Sequence, residues 1–400
     1  MSAMSEASKS FPVPEAPGGP LNGIFVLDLS RVLAGPFCTT LLNELGAQVL
    51  KVERPETGDD SRAYGPFVDG HSAYFAGVNR GKGSIALALD VTEDRDVVFR
   101  LLRHADVLVE NFRPGTLEKY GLGYEQVRER FPTLIYASVS GYGQYGPLSK
   151  WPAYDLVMQA MGGVIGVTGH PGQSPIRVGA SVGDITAGIY TAIGVLAALY
   201  DRRATGKGQR VDIAMLDCQV ALMENLIVAY SATGKIPGPL GSRHASIAPF
   251  EIYKTQDSYM VIAAGNDSLF GVLADGLGAP AMKEDARFKT NSLRNQHVLE
   301  LKAELEEILA AHTTDHWLAI LNKAGVPVSA INTVDKLIAE PQVNARNMVV
   351  PIYDAHIPGL KVAGNPVKLS GFSEQKSRPP ARTLDEDRAA VLAWLDRRKS

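Results

Sequence analysis

The sequence predicts an α/β protein whose main domain carries a parallel sheet. Three observations predict it: short apolar runs alternate with amphipathic helical runs over the first half, at least one complete strand-helix-strand unit stands near the start, and a Gly/Pro-rich break at Gly234–His244 precedes a new alternation. Repeated short strands with helices between them imply right-handed crossovers and a sheet of the Rossmann type. The second alternation implies a smaller α+β domain. At 400 residues the chain has room for both.

Taken in order, Gly23–Leu29, Pro36–Leu45 and Ala47–Glu53 read as strand, helix and strand. Ser84–Leu89 and Asp106–Glu110 are further strands flanking a helix at Glu93–His104. A helix at Tyr124–Arg130 leads to a strand at Leu134–Ser140. Helices follow at Tyr154–Gly162 and Ile185–Arg203, then a turn at Thr205–Gln209, a strand at Arg210–Ala214 and a helix at Leu216–Thr233. Beyond the break, Phe250–Lys254 and Tyr259–Ala264 form a hairpin, with helices near Leu269, at Leu299–Ala311 and at Thr314–Ala324. Gly359–Val367 and a closing helix at Leu384–Arg398 read as a return to the first domain. The expected organisation is a disordered tail at 1–20, a large domain from 21–233 with 336–400, and a linker plus small domain at 234–335.

Composition narrows the functional classes. Hydrophobic residues at 45% and charged residues at 21% describe a folded globular chain. A net charge of −3 with no long Lys/Arg run argues against a nucleic-acid partner. The longest apolar stretch, Ile185–Tyr200, is flanked by Asp184 and Asp201 and suits a buried helix better than a membrane span. Two cysteines, Cys38 and Cys218, make neither a disulfide framework nor a zinc site, and a reducing cytoplasm is the expected compartment. The first twenty residues lack the basic and apolar succession of a signal peptide.

Several chemistries lack their residues. His312 and His316 stand four apart without the HExxH context, so no metal site is expected. No GxSxG occurs near Ser138 and Ser140, and the first strand-helix turn, Ser30–Pro36, has no GxGxxG. What remains is a set of cations and amides at strand ends, where open α/β sheets bind ligands: Arg54, the loop Asn79–Gly83, Asn111–Gly115 and Lys119. Together they suit a ligand that offers phosphates to cations and an aromatic ring to apolar side chains. Asp184, between Gly183 and a long apolar helix, reads first as an N-cap. A carboxylate held ionised there by backbone N–H groups and the helix dipole is also in the state a nucleophile needs.

Four ordered segments carry a resemblance to a known family: Leu27–Pro36, Leu45–Pro55, Val109–Gly115 and Gly183-Asp184. The chain resembles the family III CoA-transferases, also called the CaiB/BaiF or formyl-CoA transferase family, from Leu21 to its C-terminus. The resemblance implies an interlocked homodimer, each chain a ring threaded by the other. It implies acyl-CoA and free carboxylate substrates, no permanently bound cofactor, and Asp184 as a nucleophile that passes through an aspartyl anhydride and an aspartyl-CoA thioester. It places CoA contacts on Val32, Leu33, Ala34, Arg54, Leu87, Asn111, Phe112, Lys119 and Tyr120. A family lysine falls on Asp90, and that contact is lost.

Within the family the similarity is to the branch pairing succinyl-CoA with glutarate and other dicarboxylates, carried by Gly58–Arg62 and His244–Phe250. The family's glycine-rich active-site loop is replaced by Gly241–Ser246, which disfavours oxalate and formate. A dicarboxylate needs a cationic anchor for its idle end, and the candidates are Arg62, Arg80, Arg177 and Arg243, with Tyr154 beside them. The racemase branch would need a His-Asp dipeptide where this chain has Tyr154-Asp155, and a phenol with pKa about 10 is a poor base. A non-catalytic CoA-binding protein is the remaining alternative, opposed by the intact Gly183-Asp184 motif.

Overall fold

A computed structural model describes residues 11–14, 16 and 18–398. Strand β1 (Phe25–Asp28) leads through Ser30–Leu33 into helix α1 (Ala34–Glu44) and strand β2 (Gln48–Glu53). A small hairpin, β3 (Phe67–Val68) with β4 (His71–Ser72), precedes α2 (Ala73–Asn79) and β5 (Gly83–Ala86). Helix α3 (Thr92–Leu102) joins β5 to β6 (Val107–Glu110), and α4 (Tyr124–Arg130) joins β6 to β7 (Ile135–Ser140). Then come α5 (Asp155–Met161), the one-turn α6 (Val164–Val167), the long α7 (Val182–Thr205) and β8 (Arg210–Ala214). The stretch expected as one helix at Leu216–Thr233 is two, α8 (Met215–Leu222) and α9 (Glu224–Thr233), parted at Met223.

The chain divides into two compact units. One holds residues up to Val164, Arg177–Ser231 and the stretch from Pro341 onward; the other holds Ile165–Ile176 and Ala232–Glu340. Residues 165–176, read from sequence as part of the large domain, thus group with the second unit, where Gly169 O accepts the Gly241 N–H at 2.8 Å.

In the first unit six parallel strands run in the order β5-β2-β1-β6-β7-β8. Successive residues face opposite sides of the sheet. Leu27, Leu50 and Leu108 join a core with Val98, Leu101, Val391 and Trp394, while Val26, Val49 and Val107 join one with Cys38, Leu42, Val195 and Leu199. Edge strand β5 does not present free donors, because Asp387 accepts the Ser84 N–H at 2.9 Å and Asp385 that of Ala86 at 2.7 Å. This is where the chain's C-terminal return docks. Phe11 is buried, its ring 3.8 Å from that of Phe25 and 4.4 Å from Trp394, so the expected disordered tail is corrected at Phe11. Residues 1–10, 15 and 17 of the expected tail lie outside the described ones.

Helix α7 is long and apolar enough to cross a membrane by length and composition. In this unit it packs on α1 and the sheet through Ala187, Gly188, Thr191, Val195 and Ala198. The approach is close at Gly188, where a Cβ would lie 2.8 Å from the Ala34 carbonyl oxygen. The second unit is an antiparallel sheet, β11 (Val328–Ala330) beside β10 (Tyr259–Ala263) and β9 (Phe250–Lys254). Helices α10 (Asp267–Gly276), α11 (Val298–Leu309) and α12 (Thr314–Ala324) supply Phe270, Leu305 and Trp317 to its core.

Candidate active site

The strand order reverses between β1 and β6, and at the carboxyl ends of those two strands the connecting loops part to leave a crevice. A cleft of about 200 Å³ opens there. Its walls include Arg31–Ala34 after β1, Asn111–Pro114 after β6, Ser140 and Gly141 after β7, Trp151–Tyr154, and Asp184. Asn111 ties the two switch-point loops together, its Oδ1 accepting the Arg31 N–H at 2.9 Å and its Nδ2 donating to the Arg31 carbonyl at 2.8 Å.

A buried ionic network fixes the first loop from below. Asp28 accepts from the Ser30 N–H at 2.9 Å, the Thr39 hydroxyl at 2.6 Å and the Lys82 ammonium at 3.2 Å. Lys51 donates to the Ser30 carbonyl at 2.6 Å and pairs with Asp59 at 2.8 Å. Asp59 accepts the N–H of Val32 at 3.0 Å and that of Ser61 at 2.8 Å. Val32 sits at φ 67°, a left-handed conformation unfavourable for a β-branched residue, and Asp59 holds it there. Burial alone would raise both carboxyls, but Lys51, with Lys82 at Asp28, outweighs it and leaves both below the usual carboxylate range. Burial lowers Lys82 to about 8 despite Asp28.

Asp184 has the opposite environment. It is the third residue of α7, whose N-cap is Ser181, and no hydrogen-bond donor reaches its carboxylate among the described residues. The expectation of an N-cap held ionised by the helix end is therefore corrected. Burial, and then the charge of Asp155, push Asp184 up to about 7. The capping falls to Asp155, on α5, whose Oδ1 accepts the Gly183 N–H at 2.7 Å. A side chain at 183 would push that oxygen aside, since a Cβ would stand 2.9 Å from it.

The structure brings together Val32, Leu33, Ala34, Asn111, Phe112, Tyr154 and Asp184 on one cleft. Arg54 lies at its margin, paired with the cleft residue Asp60. Leu87 is in the hydrophobic core, which leaves only its main chain for a ligand. Tyr120 packs against that core and Lys119 is exposed beside it; neither lines the cleft. Two anchor candidates are already committed. Arg62 pairs with buried Glu53 at 2.7 Å and stacks over Phe75, while Arg80 is largely buried against Glu44 at 3.0 Å. Arg177 is exposed ahead of α7, and Arg243 belongs to the second unit. Lys82, read from sequence as a ligand cation, is buried under Asp28.

Arg113, in the Asn111–Gly115 segment expected to meet a ligand, lines the cleft; sequence reasoning missed Arg31, Asp60, Tyr64 and Trp151 there, and Tyr74, which stacks edge-on to Tyr64 at 5.9 Å. Burial, then the charge of Asp184, raises Tyr74 to about 12. No His or Cys lines the cleft among the described residues; the buried Ser140 hydroxyl is also without a partner there, but a hydroxyl needs a base to attack, whereas an ionised Asp184 carboxylate does not.

Residues 21–388 match the family model described as CoA-transferase family III. The acetyl-CoA:oxalate CoA-transferase of Acetobacter aceti is 45% identical over 94% of this chain and 96% of its own. The succinate–glutarate CoA-transferase of Agrobacterium fabrum is 40% identical over the same shares. The crystal structure of a CaiB/BaiF family protein from Brucella suis superposes with a TM-score of 0.85 at 41% identity, covering 94% of this chain and 100% of that one.

Proposed function

Because the chain belongs to CoA-transferase family III and is a CoA-transferase, we propose that it moves CoA from succinyl-CoA or a similar acyl-CoA donor to a free dicarboxylic acid, with Asp184 as the nucleophile. The observation that carries the reading is the desolvated Asp184 carboxyl facing a cleft built at the switch point of the sheet. Burial strips its hydration and raises its basicity, and both favour attack once the proton has left.

The ionised Asp184 attacks the thioester carbonyl, the C–S bond breaks, and CoA leaves as thiolate with an aspartyl mixed anhydride behind it. The thiolate then attacks the aspartyl carbonyl of that anhydride, releasing the donor's acid and leaving CoA on Asp184 as a thioester. The acceptor carboxylate runs the two steps in reverse. Val32, Leu33, Ala34, Asn111 and Phe112 border the space where CoA would lie.

Support for a dicarboxylate comes from the names of the relatives, since oxalate and glutarate both carry two carboxylates. Oxalate, disfavoured on loop sequence, thereby returns as an acceptor to be tried. Among cleft cations, Arg31 is paired with Asp60 at 3.1 Å, whereas Arg113 has no carboxylate partner among the described residues and is the better placed to hold an idle carboxylate. The test is a panel of acids against succinyl-CoA and acetyl-CoA, with new CoA esters followed by mass. Oxalate, succinate, glutarate and mesaconate should outrun butyrate by about ten- to a hundredfold, the worth of one charge-assisted hydrogen bond. Equal rates with butyrate would remove the dicarboxylate reading.

We also propose a homodimer. Helices α7 and α8 expose Ile189, Tyr190, Ile193, Tyr200 and Val220, apolar side chains that a second copy would cover. Sedimentation at micromolar concentration should give twice the chain mass; an active monomer contradicts it.

A further inference from the structure

We propose that Gln159 is a positioning residue for the transfer reaction: it fixes the Asp155 carboxylate beside Asp184 and ties it to the backbone that delivers α7. The proposal rests on the reading of Asp184 as the nucleophile. Gln159 is fully buried on α5, one turn after Asp155. Its amide divides its two ends between two partners. The Nε2 donates to Asp155 Oδ2 at 2.7 Å, and the Oε1 accepts the Val178 N–H at 2.9 Å.

The geometry makes Asp155 a relay between two anchors. One carboxylate oxygen takes the Gly183 N–H at the start of α7, the other takes the Gln159 amide, and the amide's far end holds the chain four residues before α7 begins. Charge on Asp155 therefore stays at a fixed place next to the residue that follows Gly183. That residue is Asp184, and the nearby negative charge favours its protonated form. Without the amide, Asp155 loses one of its two N–H donors and is free to turn. Its hold on the Asp184 proton weakens.

Other groups bear on the same proton more weakly or from farther off. Tyr74 on α2 is coupled to Asp184, Arg31, Asp60 and Arg113 stand on the cleft walls, and α8, packed on both α5 and α7, brings Asp217. None of them is hydrogen-bonded to Gln159, whose partners are Asp155 and the Val178 N–H, so a Gln159 substitution addresses Asp155 first.

The experiment is the pH dependence of single-turnover acylation by succinyl-CoA in full-length wild type, Gln159→Met, Asp155→Asn and the double variant. Because the ionised Asp184 reacts, the rate should rise through an acid limb. In Gln159→Met that limb should move to lower pH by about half to one unit, as expected when a neighbouring charge is displaced. Asp155→Asn should move it at least as far, and Gln159→Met on top of Asp155→Asn should move it no further, the non-additivity of residues acting through one another. A slower Gln159→Met enzyme with an unmoved limb, or an equal shift with and without Asp155, overturns the proposal. Gln159→Glu serves if Gln159→Met does not fold, since it keeps the acceptor for Val178 and, protonated, the donor to Asp155. Its limb should stay or rise, and a fall overturns the proposal. Failure of the parent reading is separately visible: Asp184→Asn would then transfer CoA at near the wild-type rate whatever the Gln159 variants do.

Discussion

Asp28 and Asp184 are both largely buried carboxyls at the same crevice, yet they sit on opposite sides of the ordinary carboxylate range. Asp28 is surrounded by two hydroxyls, a backbone N–H and two ammoniums, so its charge costs little to keep. Asp184 has no donor among the described residues and a like charge beside it. The difference separates two tasks. A satisfied carboxylate is inert and rigid, and the network of Asp28, Lys51, Asp59 and Lys82 uses that to hold the Ser30–Leu33 loop. An unsatisfied one is reactive, and its instability is stored until substrate arrives.

Breaking the satisfied side should have the largest effect on stability. Lys51→Met removes the ammonium from Asp59 and Asp28 and the donor from the Ser30 carbonyl. It should cost about 3–5 kcal/mol in urea unfolding, the usual penalty for stranding a buried charge. Adding Asp59→Asn should restore part of the loss, because the orphaned charge goes with it. A cost under about 1 kcal/mol would show that the network does not hold the loop.

The unsatisfied side should show the opposite sign. Asp184 titrates near 3.8 unfolded and about 7 folded, so the folded state binds its proton more tightly. The stability this contributes is full below the unfolded value and is lost as pH rises toward 7. Asp184→Asn, which cannot ionise, should therefore be about 1–3 kcal/mol more stable than wild type at pH 8 and nearly equal at pH 4, read by thermal melts at both. Equal stability at both pH values would mean that Asp184 is not desolvated in the folded chain.

Much of this architecture is legible in local pattern. Period-two and continuous apolar runs place all six parallel strands, and helix periodicity places α1, α3, α4, α5 and α7. The hairpin at Phe67–Ser72 was missed although Asp69-Gly70 is a turn pair suited to its left-handed φ values of 47° and 80°. Its strands are two residues each, too short for an alternation to register. Lys51 and Glu53 carried a signal too: charges inside a central parallel strand require buried partners. Which partners they find is not readable from the strand pattern, since Asp59 and Arg62 come from the turn that follows β2 and Asp28 from β1. The membership of residues 165–176 in the second unit, and the fact that Asp155 rather than Asp184 caps α7, likewise depend on pairings distant in sequence.

The most direct test of the central claim is to look for CoA or acyl group on Asp184 itself. Full-length protein incubated with succinyl-CoA, quenched in acid and digested should show a mass increment on the peptide containing Asp184. Hydroxylamine should remove the increment and should inactivate the enzyme only in the presence of the acyl-CoA. Asp184→Asn should still bind CoA, carry no increment and transfer CoA several orders of magnitude more slowly. An unmodified Asp184 peptide during turnover, or an Asn variant with near wild-type transfer, would contradict the account and leave Asp184 as part of a helix end.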